Sequence, residues 1–387
     1  MVTLQQMRDS NAQIERLPPG LVAVFVGATR GLGEATMKQF ARHAKQPRIY
    51  FIGRNCWAGN KIARELEQLN PSGQYLYIRA DVSLLRVVDK VCLEIRRREN
   101  AVNLLFLNTS TMQDKTSKSR KLISSKALTR GPLTSTTETD EGLPYQLAVM
   151  YFSRLRFITN LSSLLYSATG LRRVVSIFAG AREGWVYRSH WADEGRELHM
   201  SSSPCSLHAI PHYSSLMTLA LEACAKRAAD EHLRAGLGNG LVSFVHTDPG
   251  EIPKNYWSDI PGVRATVLRM ICRTVMWVMK NDLKLPMEEA GERQLFFATS
   301  RRFAPKEGSK DEHDGDGVPL VEGVTVAKGT DGIIGSGVYS VDVEGETSER
   351  TVSELSELKR GRFAPLVWEQ VEREFVAITG GTFDMNT

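Results

Sequence analysis

The segment VFVGATRGLGEAT, residues 24–36, contains the pattern that decides the fold. An apolar run over 22–27 leads into three glycines, Gly27, Gly31 and Gly33, and a helical pattern begins at the second of them. Glycine permits a sharp turn and lets backbone amides approach a bound group closely. A strand, a glycine-rich turn and a helix N-terminus in this order are typical of sites that bind the pyrophosphate of a dinucleotide. The residues of the predicted site are Gly27, Thr29, Arg30, Gly31, Leu32 and Gly33.

Apolar runs and helical patterns alternate on the C-terminal side of this segment. Short buried strands linked by helices predict a parallel sheet with helices on both faces. The expected fold is therefore α/β, a single doubly wound Rossmann domain with a parallel seven-stranded sheet. The seven predicted strands lie at 22–27, 48–53, 75–80, 102–107, 173–178, 241–246 and 337–342.

These patterns divide the 387-residue chain into three parts. We expect an N-terminal segment over 1–19, the nucleotide-binding domain over 20–345 and a helical C-terminal extension over 346–387. The extension contains the helix-like segment APLVWEQVEREF (364–375).

Three long irregular stretches interrupt the domain, at 110–142, 181–211 and 303–332. Long irregular loops in a compact domain are usually functional lids or disordered insertions. The first is rich in Ser, Thr and Lys and the third in Gly and charged residues, so we expect solvated or disordered loops there. The second contains Trp185 and Trp191, which favours a structured flap near a substrate.

Composition excludes several classes of function. A net charge of +5, spread along the chain, does not indicate a nucleic-acid partner. Five scattered cysteines without a CxxC pair favour reduced thiols and a cytoplasmic protein. The most apolar helical stretch, 263–280, is interrupted by three arginines, so we expect no transmembrane segment but a surface or lid helix.

The end of the second predicted strand indicates which dinucleotide is bound. Sites for NAD usually place an acidic residue there, where it binds the ribose hydroxyls. Here the strand ends in Gly53-Arg54-Asn55, and Arg30 lies inside the glycine turn. Two guanidinium groups would hold a 2′-phosphate through charge-assisted hydrogen bonds. The sequence therefore predicts NADP(H), with Arg30, Arg54 and Asn55 near the adenosine.

Together these positions resemble the short-chain dehydrogenase/reductase family. The glycine spacing of GATRGLG is that family's form, and Asp81-Val82 after the third strand is similar to its adenine contact. Asn108 stands where the family has an asparagine after the fourth strand, and Pro249-Gly250 resembles its turn on the nicotinamide side. The resemblance implies an NADP(H)-dependent enzyme that forms homodimers or homotetramers. The chain is similar to a fungal subgroup among secondary-metabolite enzymes.

The resemblance also implies a catalytic tyrosine, a lysine one turn later, a serine after the fifth strand and an asparagine in a preceding helix. The tyrosine position corresponds to Tyr213 in HYSSLMT, and the lysine position is then Met217. The serine position falls on Phe178 or Ala179, and the asparagine position is near Tyr151. At most one of the four groups is retained.

The role of Tyr213 has two interpretations. Without a nearby cation its phenol has no reason to titrate below pH ~10, so it is either a neutral hydrogen-bond donor or a residue that packs at the start of a helix. A second alignment, through Cys205-Ser-Leu-His, is also open because the preceding insertion blurs the register. Four other polar residues are candidates, although single histidines are more often structural: Ser176, His208, His212 and His246.

Three functions remain open, from two classes of enzyme and one non-enzymatic class. The first is an NADP(H)-dependent oxidoreductase whose small-molecule substrate is a bulky lipophilic metabolite, such as a polyketide or terpenoid, under a lid formed by Tyr256-Trp257 and 263–280. The second is an isomerase, cyclase or dehydratase on the same scaffold, and the third a catalytically inactive NADP-binding protein. Hydride transfer is chemistry that the cofactor carries, which favours the first.

Overall fold

The computed structural model describes residues 1–109, 138–186, 206–235, 241–250, 285–306 and 317–381. Seven strands form one sheet in the order β3-β2-β1-β4-β5-β6-β7, and every neighbouring pair is parallel. The predicted doubly wound sheet is thus confirmed, with strand ends within two residues of those expected. The strands are β1 Val22–Val26, β2 Arg48–Gly53, β3 Gln74–Arg79, β4 Leu104–Leu107, β5 Arg173–Ile177, β6 Ser243–Thr247 and β7 Val338–Val341.

Helices lie on both faces of this sheet. A short π-helix, Ala148–Phe152, joins α5 to α6, and two 3₁₀ turns occur at Gln13–Arg16 and Arg301–Phe303. The α-helices are α1 Leu4–Ala12, α2 Gly31–His43, α3 Cys56–Leu69, α4 Leu85–Arg98, α5 Tyr145–Leu147, α6 Ser153–Tyr166, α7 Ser206–Ala235, α8 Met287–Thr299, α9 Glu349–Arg360 and α10 Phe363–Thr379.

The core has one layer on each face of the sheet, as side-chain alternation along a strand requires. In β1, Val24 and Val26 pack with α4, α6 and α7, whereas Ala23 and Phe25 pack with α2, α3 and α8. All five residues of β1 are buried. A strand buried on both faces reads as a continuous apolar run, which is the pattern seen in the sequence.

The C-terminal extension forms part of the first core layer. Helix α10 buries Trp368 and Phe375 in the same cluster as α4, α6 and α7. The guanidinium of Arg227, on α7, lies 5.0 Å from the Trp368 ring, and that of Arg156, on α6, lies 4.9 Å from the Phe375 ring. Arg227 also pairs with Glu372 at 2.9 Å. The extension therefore packs directly on the helix that contains Tyr213.

Two expectations about local structure differ from the model. Helix α7 begins at Ser206, so Tyr213 lies two turns inside it, although the sequence places this tyrosine at the helix start. Pro211 is the sixth residue of this helix and has no N–H to donate to the carbonyl four residues earlier, so one intrahelical hydrogen bond is missing there. The described parts of the third irregular stretch, 303–306 and 317–332, are not wholly solvated, because Phe303, Val318 and Val324 are buried.

Candidate active site

The carboxyl ends of the parallel strands bring the predicted site residues to one edge of the sheet. Gly27 follows β1, Arg54 follows β2, Asp81 follows β3 by two residues and Asn108 follows β4. The turn with Pro249 and Gly250 follows β6 at the same edge. In open α/β sheets this edge, beside the point where strand order reverses, is where ligands bind. Here the reversal lies between β1 and β4.

The glycine turn after β1 packs against Asn108 with no room for side chains. Gly27 has φ +84°, and a Cβ there would lie 2.6 Å from the backbone oxygen of Asn108. A Cβ on Gly33 would lie 2.7 Å from the Gly27 oxygen and 2.9 Å from Asn108 Nδ2. Glycine is therefore required at both positions. The result is a turn whose bare backbone leads into the N-terminus of α2, where no side chain caps the helix.

The open side of this turn fits a dinucleotide phosphate. Gly31 has φ +63°, and a Cβ there would meet nothing within 4 Å. Thr29 packs its side chain against Gly53, while Leu32 is buried and anchors the first turn of α2 in the core. Exposed Arg30 precedes the helix in an extended conformation. Bare amides and a helix dipole at one place favour an anion.

The residues predicted for the adenosine end lie on the neighbouring loops. Arg54 is exposed and its Nη1 donates to the Tyr145 hydroxyl at 2.7 Å. Asn55 caps α3, since its Oδ1 accepts from Ala58 N at 3.1 Å. Asp81 Oδ1 accepts from the Ser83 amide, which fixes the turn that contains half-buried Val82. Tyr145 was missed by sequence reasoning, because only the fold brings α5 beside the end of β2.

The turn after β6 is held by two bonds of one carboxylate. Asp248 Oδ1 accepts from the Gly250 amide at 2.8 Å, and Oδ2 pairs with Arg182 from the loop after β5. Gly250 adopts φ +72°, a conformation that favours glycine. Pro249 and Gly250 are thereby fixed beside the loop that contains the expected serine position.

Tyr213 is a partly buried phenol without a lysine beside it. Burial raises its pKa to about 12, so the group stays protonated at physiological pH. Its ring makes an edge contact with His212, with centroids 4.9 Å apart. Met217, at the expected lysine position, is 1% exposed and belongs to the core. Tyr213 can therefore donate a hydrogen bond, but it is not tuned for proton transfer near neutral pH.

Replacing Met217 with lysine tests this electrostatic account. A residue four positions along a helix places its Cβ about 5–6 Å away, so an ammonium there should lower the pKa of Tyr213 by about one to three. Burying the new polar group should also lower the free energy of unfolding by about 1–3 kcal/mol. The phenolate absorbance as a function of pH, assigned with Tyr213→Phe, measures the pKa. Met217→Leu keeps the volume and should change neither quantity; an unchanged Tyr213 titration in M217K contradicts the account.

The other two expected catalytic positions are apolar or aromatic. Ala179 is 5% exposed, and the Phe178 ring stacks on His246 with an interplanar angle of 6°. Tyr151 lies in the π-helix, buried against Phe152. Phe178 and Ala179 have no hydroxyl to replace the expected serine, and the buried Tyr151 has no side-chain amide to replace the expected asparagine.

A buried arginine joins the ends of β4 and β5. Arg154, on α6, is 1% exposed and donates to the Thr109 oxygen at 2.6 Å, to the Ser176 hydroxyl at 2.9 Å and to the Ile177 oxygen at 2.8 Å. These acceptors are neutral, and burial lowers the pKa of Arg154 to about 9. No pattern in the sequence indicated this role, because an arginine in an amphipathic helix normally faces solvent. Ser176 is thus a structural partner of Arg154.

Some predicted features lie outside the described residues or side chains. They are Cys205, the His208 side chain, Tyr256, Trp257 and the lid 263–280. His212 is buried next to Tyr213. Among the described residues, no helix is long and apolar enough to cross a membrane, and no group of three histidine, cysteine or acidic side chains is placed to hold a metal.

Comparisons with known proteins identify several to which this chain is similar. A family model described as short chain dehydrogenase matches residues 21–130. Oxidoreductase AN1596 of Emericella nidulans is 32% identical over 373 residues, which cover 96% of this chain and 97% of that protein. Short-chain dehydrogenase/reductase SAT2 of Stachybotrys chartarum is 27% identical over 352 residues, 88% of each chain. A 3-oxoacyl (acyl-carrier-protein) reductase from Agrobacterium tumefaciens, solved with NADP bound, has 17% identity and a TM-score of 0.49, covering 77% of this chain and 93% of its own.

Proposed function

Because the chain belongs to the short-chain dehydrogenase/reductase family, we propose that it is an NADP(H)-dependent oxidoreductase acting on a bulky lipophilic metabolite. The observation that carries the cofactor assignment is the bare glycine turn, packed on Asn108 and followed by Arg54 where an acid would select NAD. Fungal proteins named as oxidoreductases match most of the chain and support the redox assignment. The pathway that we propose is fungal secondary metabolism, in polyketide or terpenoid biosynthesis.

Different residues along this edge of the sheet bind different parts of the dinucleotide. Gly27, Gly31 and Gly33 let backbone amides bind the pyrophosphate, and Arg30 and Arg54 bind the 2′-phosphate. Thr29, Leu32, Asn55, Asp81, Val82, Asn108, Pro249 and Gly250 complete the dinucleotide site. When bound, the reduced nicotinamide supplies a hydride, and the protein supplies position and electrostatics.

Proton delivery is the part of the chemistry that departs from the family pattern. Tyr213 serves as a neutral hydrogen-bond donor to the substrate oxygen, since its raised pKa keeps the proton in place. Loss of an acid–base group typically slows such a reaction by ~10²–10⁴-fold. An activated substrate, such as a conjugated enone or an imine, tolerates that loss better than a simple ketone. The substrate class is therefore an activated carbonyl or imine compound.

Fluorescence titration of the purified protein with NADPH and NADH tests the cofactor proposal. We expect saturable binding of both, tighter for NADPH, because a 2′-phosphate gains a charge-assisted hydrogen bond from Arg54. Each such bond to a charged group contributes about 1.5–3 kcal/mol, which corresponds to a preference of about tenfold to a hundredfold. If neither dinucleotide binds, the proposal fails.

A non-redox activity on the same scaffold is the second candidate. The replacement of the lysine and serine positions by Met217 and Ala179 favours it. The change in absorbance of the reduced nicotinamide during conversion of a metabolite distinguishes the oxidoreductase from the non-redox enzyme. Conversion without a change in that band indicates an isomerase, cyclase or dehydratase. Nucleotide binding without any conversion indicates an inactive NADP-binding protein.

A further inference from the structure

The loop after β5 buries a carboxylate that the proposed chemistry does not use. The side chain of Glu183 is fully buried, and four groups from different parts of the chain surround it. Its Oε1 accepts from Thr218 Oγ1 at 2.6 Å and from the Ser340 hydroxyl, and its Oε2 accepts from Thr351 Oγ1 at 3.2 Å. Burying an ionised group is costly unless hydrogen bonds satisfy it. Through these hydrogen bonds Glu183 connects the loop after β5 to α7, β7 and α9, and we call this group of side chains the Glu183 junction.

The charge of this carboxylate follows from its partners. Burial alone would raise the pKa of Glu183, but the His246 ring 3.6 Å away and the hydrogen bonds from the Ser340 and Thr218 hydroxyls lower it below its ordinary value. The group is thus ionised at neutral pH. An ionised acceptor forms stronger hydrogen bonds than a neutral one, so each hydroxyl that reaches Glu183 is held firmly.

The hydrogen bonds around His246 define its protonation. Thr218 Oγ1 gives its only proton to Glu183, so its contact with His246 Nδ1 at 2.8 Å requires the proton on Nδ1. His246 Nε2 then accepts from the Ala179 amide at 3.3 Å. Glu183 therefore acts through Thr218 and His246 on Ala179.

Ala179 is held to α7 by a second bond. Ser214 Oγ, in the residue after Tyr213, donates to the Ala179 oxygen at 2.6 Å. Both polar groups of the Ala179 backbone are thus fixed, one by His246 and one by the Tyr213 helix. Ala179 is one of the two residues, with Phe178, on which the expected serine position falls, so this contact joins that position to the residue after Tyr213.

The C-terminal extension reaches the same junction. Thr351 lies in the first turn of α9, where Ser348 caps the helix by accepting from the Thr351 amide at 3.1 Å. Within the described part of the extension, the Thr351 hydroxyl is the group that hydrogen-bonds to the Glu183 carboxylate, and Thr351 is 1% exposed. Thr351 therefore links residues beyond 345 to the loop and helix that form the cleft.

We propose that Glu183 is a positioning residue for the catalytic cleft, which holds helix α7 and the Phe178–Ala179 segment in place and makes the C-terminal extension part of the site. The placement of Tyr213 for substrate rests on the proposed function, but the mechanical linkage does not. The hydrogen bonds of Thr218, His246 and Thr351 link Glu183 to α7, to the Ala179 backbone and to the extension. No nucleotide or substrate is needed to observe this linkage.

Hydrogen exchange of the nucleotide-free full-length protein, followed by mass spectrometry, tests the linkage. Thr218→Val keeps the side-chain shape and removes the hydroxyl, so exchange in peptides covering 212–221 and 178–184 should rise about tenfold to a hundredfold. Thr218→Ser restores the hydroxyl and should return exchange to near the wild-type rate. Thr351→Val should raise exchange in the same peptides, although it lies in the extension.

Thr379→Val is the matched control in the extension, because its hydroxyl bonds only within and just after α10, to Phe375 and Gly381. It should leave both groups of peptides unchanged. The ¹⁵N spectrum of the histidine rings should show His246, assigned with His246→Asn, protonated on Nδ1. If T218V does not fold, hydrogen exchange of T351V and the histidine ¹⁵N spectrum of the wild-type protein still test the proposal.

Two results overturn the proposal. One concerns exchange in T218V and T351V. A uniform rise over all peptides would give Glu183 a general structural role only, and no rise in any peptide would mean that Glu183 does not hold α7 in place. The other is a proton on Nε2 of His246, because the Ala179 link would then be absent. A failed NADPH titration of the wild-type protein would instead sink the proposed function and leave these measurements intact.

Discussion

Replacing Gly33 with alanine is expected to weaken NADPH binding by about a hundredfold or more, which is the loss of about two hydrogen bonds to a charged group. The added Cβ would lie 2.7 Å from the Gly27 oxygen, and that oxygen belongs to the backbone. The turn after β1 must therefore move, and its amides would no longer point at the pyrophosphate. Calorimetric titration of G33A with NADPH, below its melting temperature, measures the effect.

A second glycine provides the matched control for this substitution. Gly291, on α8, packs against α2 from the other side, where a Cβ would lie 3.1 Å from Ala35. Gly291→Ala therefore presses on α2 at Ala35 and Thr36, not on the Gly27 and Asn108 atoms that Gly33 faces. It should alter stability while leaving the NADPH affinity within about twofold of wild type, less than one lost hydrogen bond. Equal losses of affinity in both variants would mean that the turn has no specific role.

Replacing Arg54 with aspartate is expected to reverse the cofactor preference. The variant loses a hydrogen bond to the 2′-phosphate of about 1.5–3 kcal/mol and places a like charge beside it. NADPH affinity should fall by about a hundredfold. NADH affinity should rise severalfold, because a carboxylate at the end of the second strand accepts from the ribose hydroxyls. Parallel titrations with both dinucleotides measure the ratio.

Two milder variants define what Arg54 contributes. Arg54→Lys keeps the charge but loses the planar fork, so its preference should be intermediate. Tyr145→Phe removes only the hydroxyl that accepts from Arg54 Nη1, and it should reduce the preference by a smaller factor. A cofactor ratio that stays at the wild-type value in R54D would assign the 2′-phosphate to other residues.

The departure of Tyr213 from the family pattern now has a structural cause. The sequence shows only that methionine replaces a lysine. In the structure Met217 is part of the apolar core, so an ammonium at this position would lose its hydration. A lysine there would be charged only at a cost in stability. The neutral phenol is therefore a consequence of how α7 packs on the sheet.

Much of the fold and of the cofactor site could be predicted because these features are local in the chain. The alternation of apolar runs and helical patterns gave all seven strands, since each strand is buried on its own short segment. The start of α7 was misplaced, because Pro211 and the preceding irregular stretch obscure the helical pattern. Arg154 was missed for a different reason: nothing in its neighbourhood in the sequence shows that it faces the sheet.

The amino-acid sequence by itself determined the parallel sheet, the glycine turn and the arginine at the end of β2, because a few adjacent residues specify each of them. Only the tertiary structure decided that Glu183 meets Thr351, 168 residues away, and that His246 bonds the amide of Ala179. Such contacts depend on where separate elements pack, and no local pattern encodes that. Glu183, His246 and Thr351 lie in no recognisable sequence motif, and only their packing brings them together beside the proposed cleft.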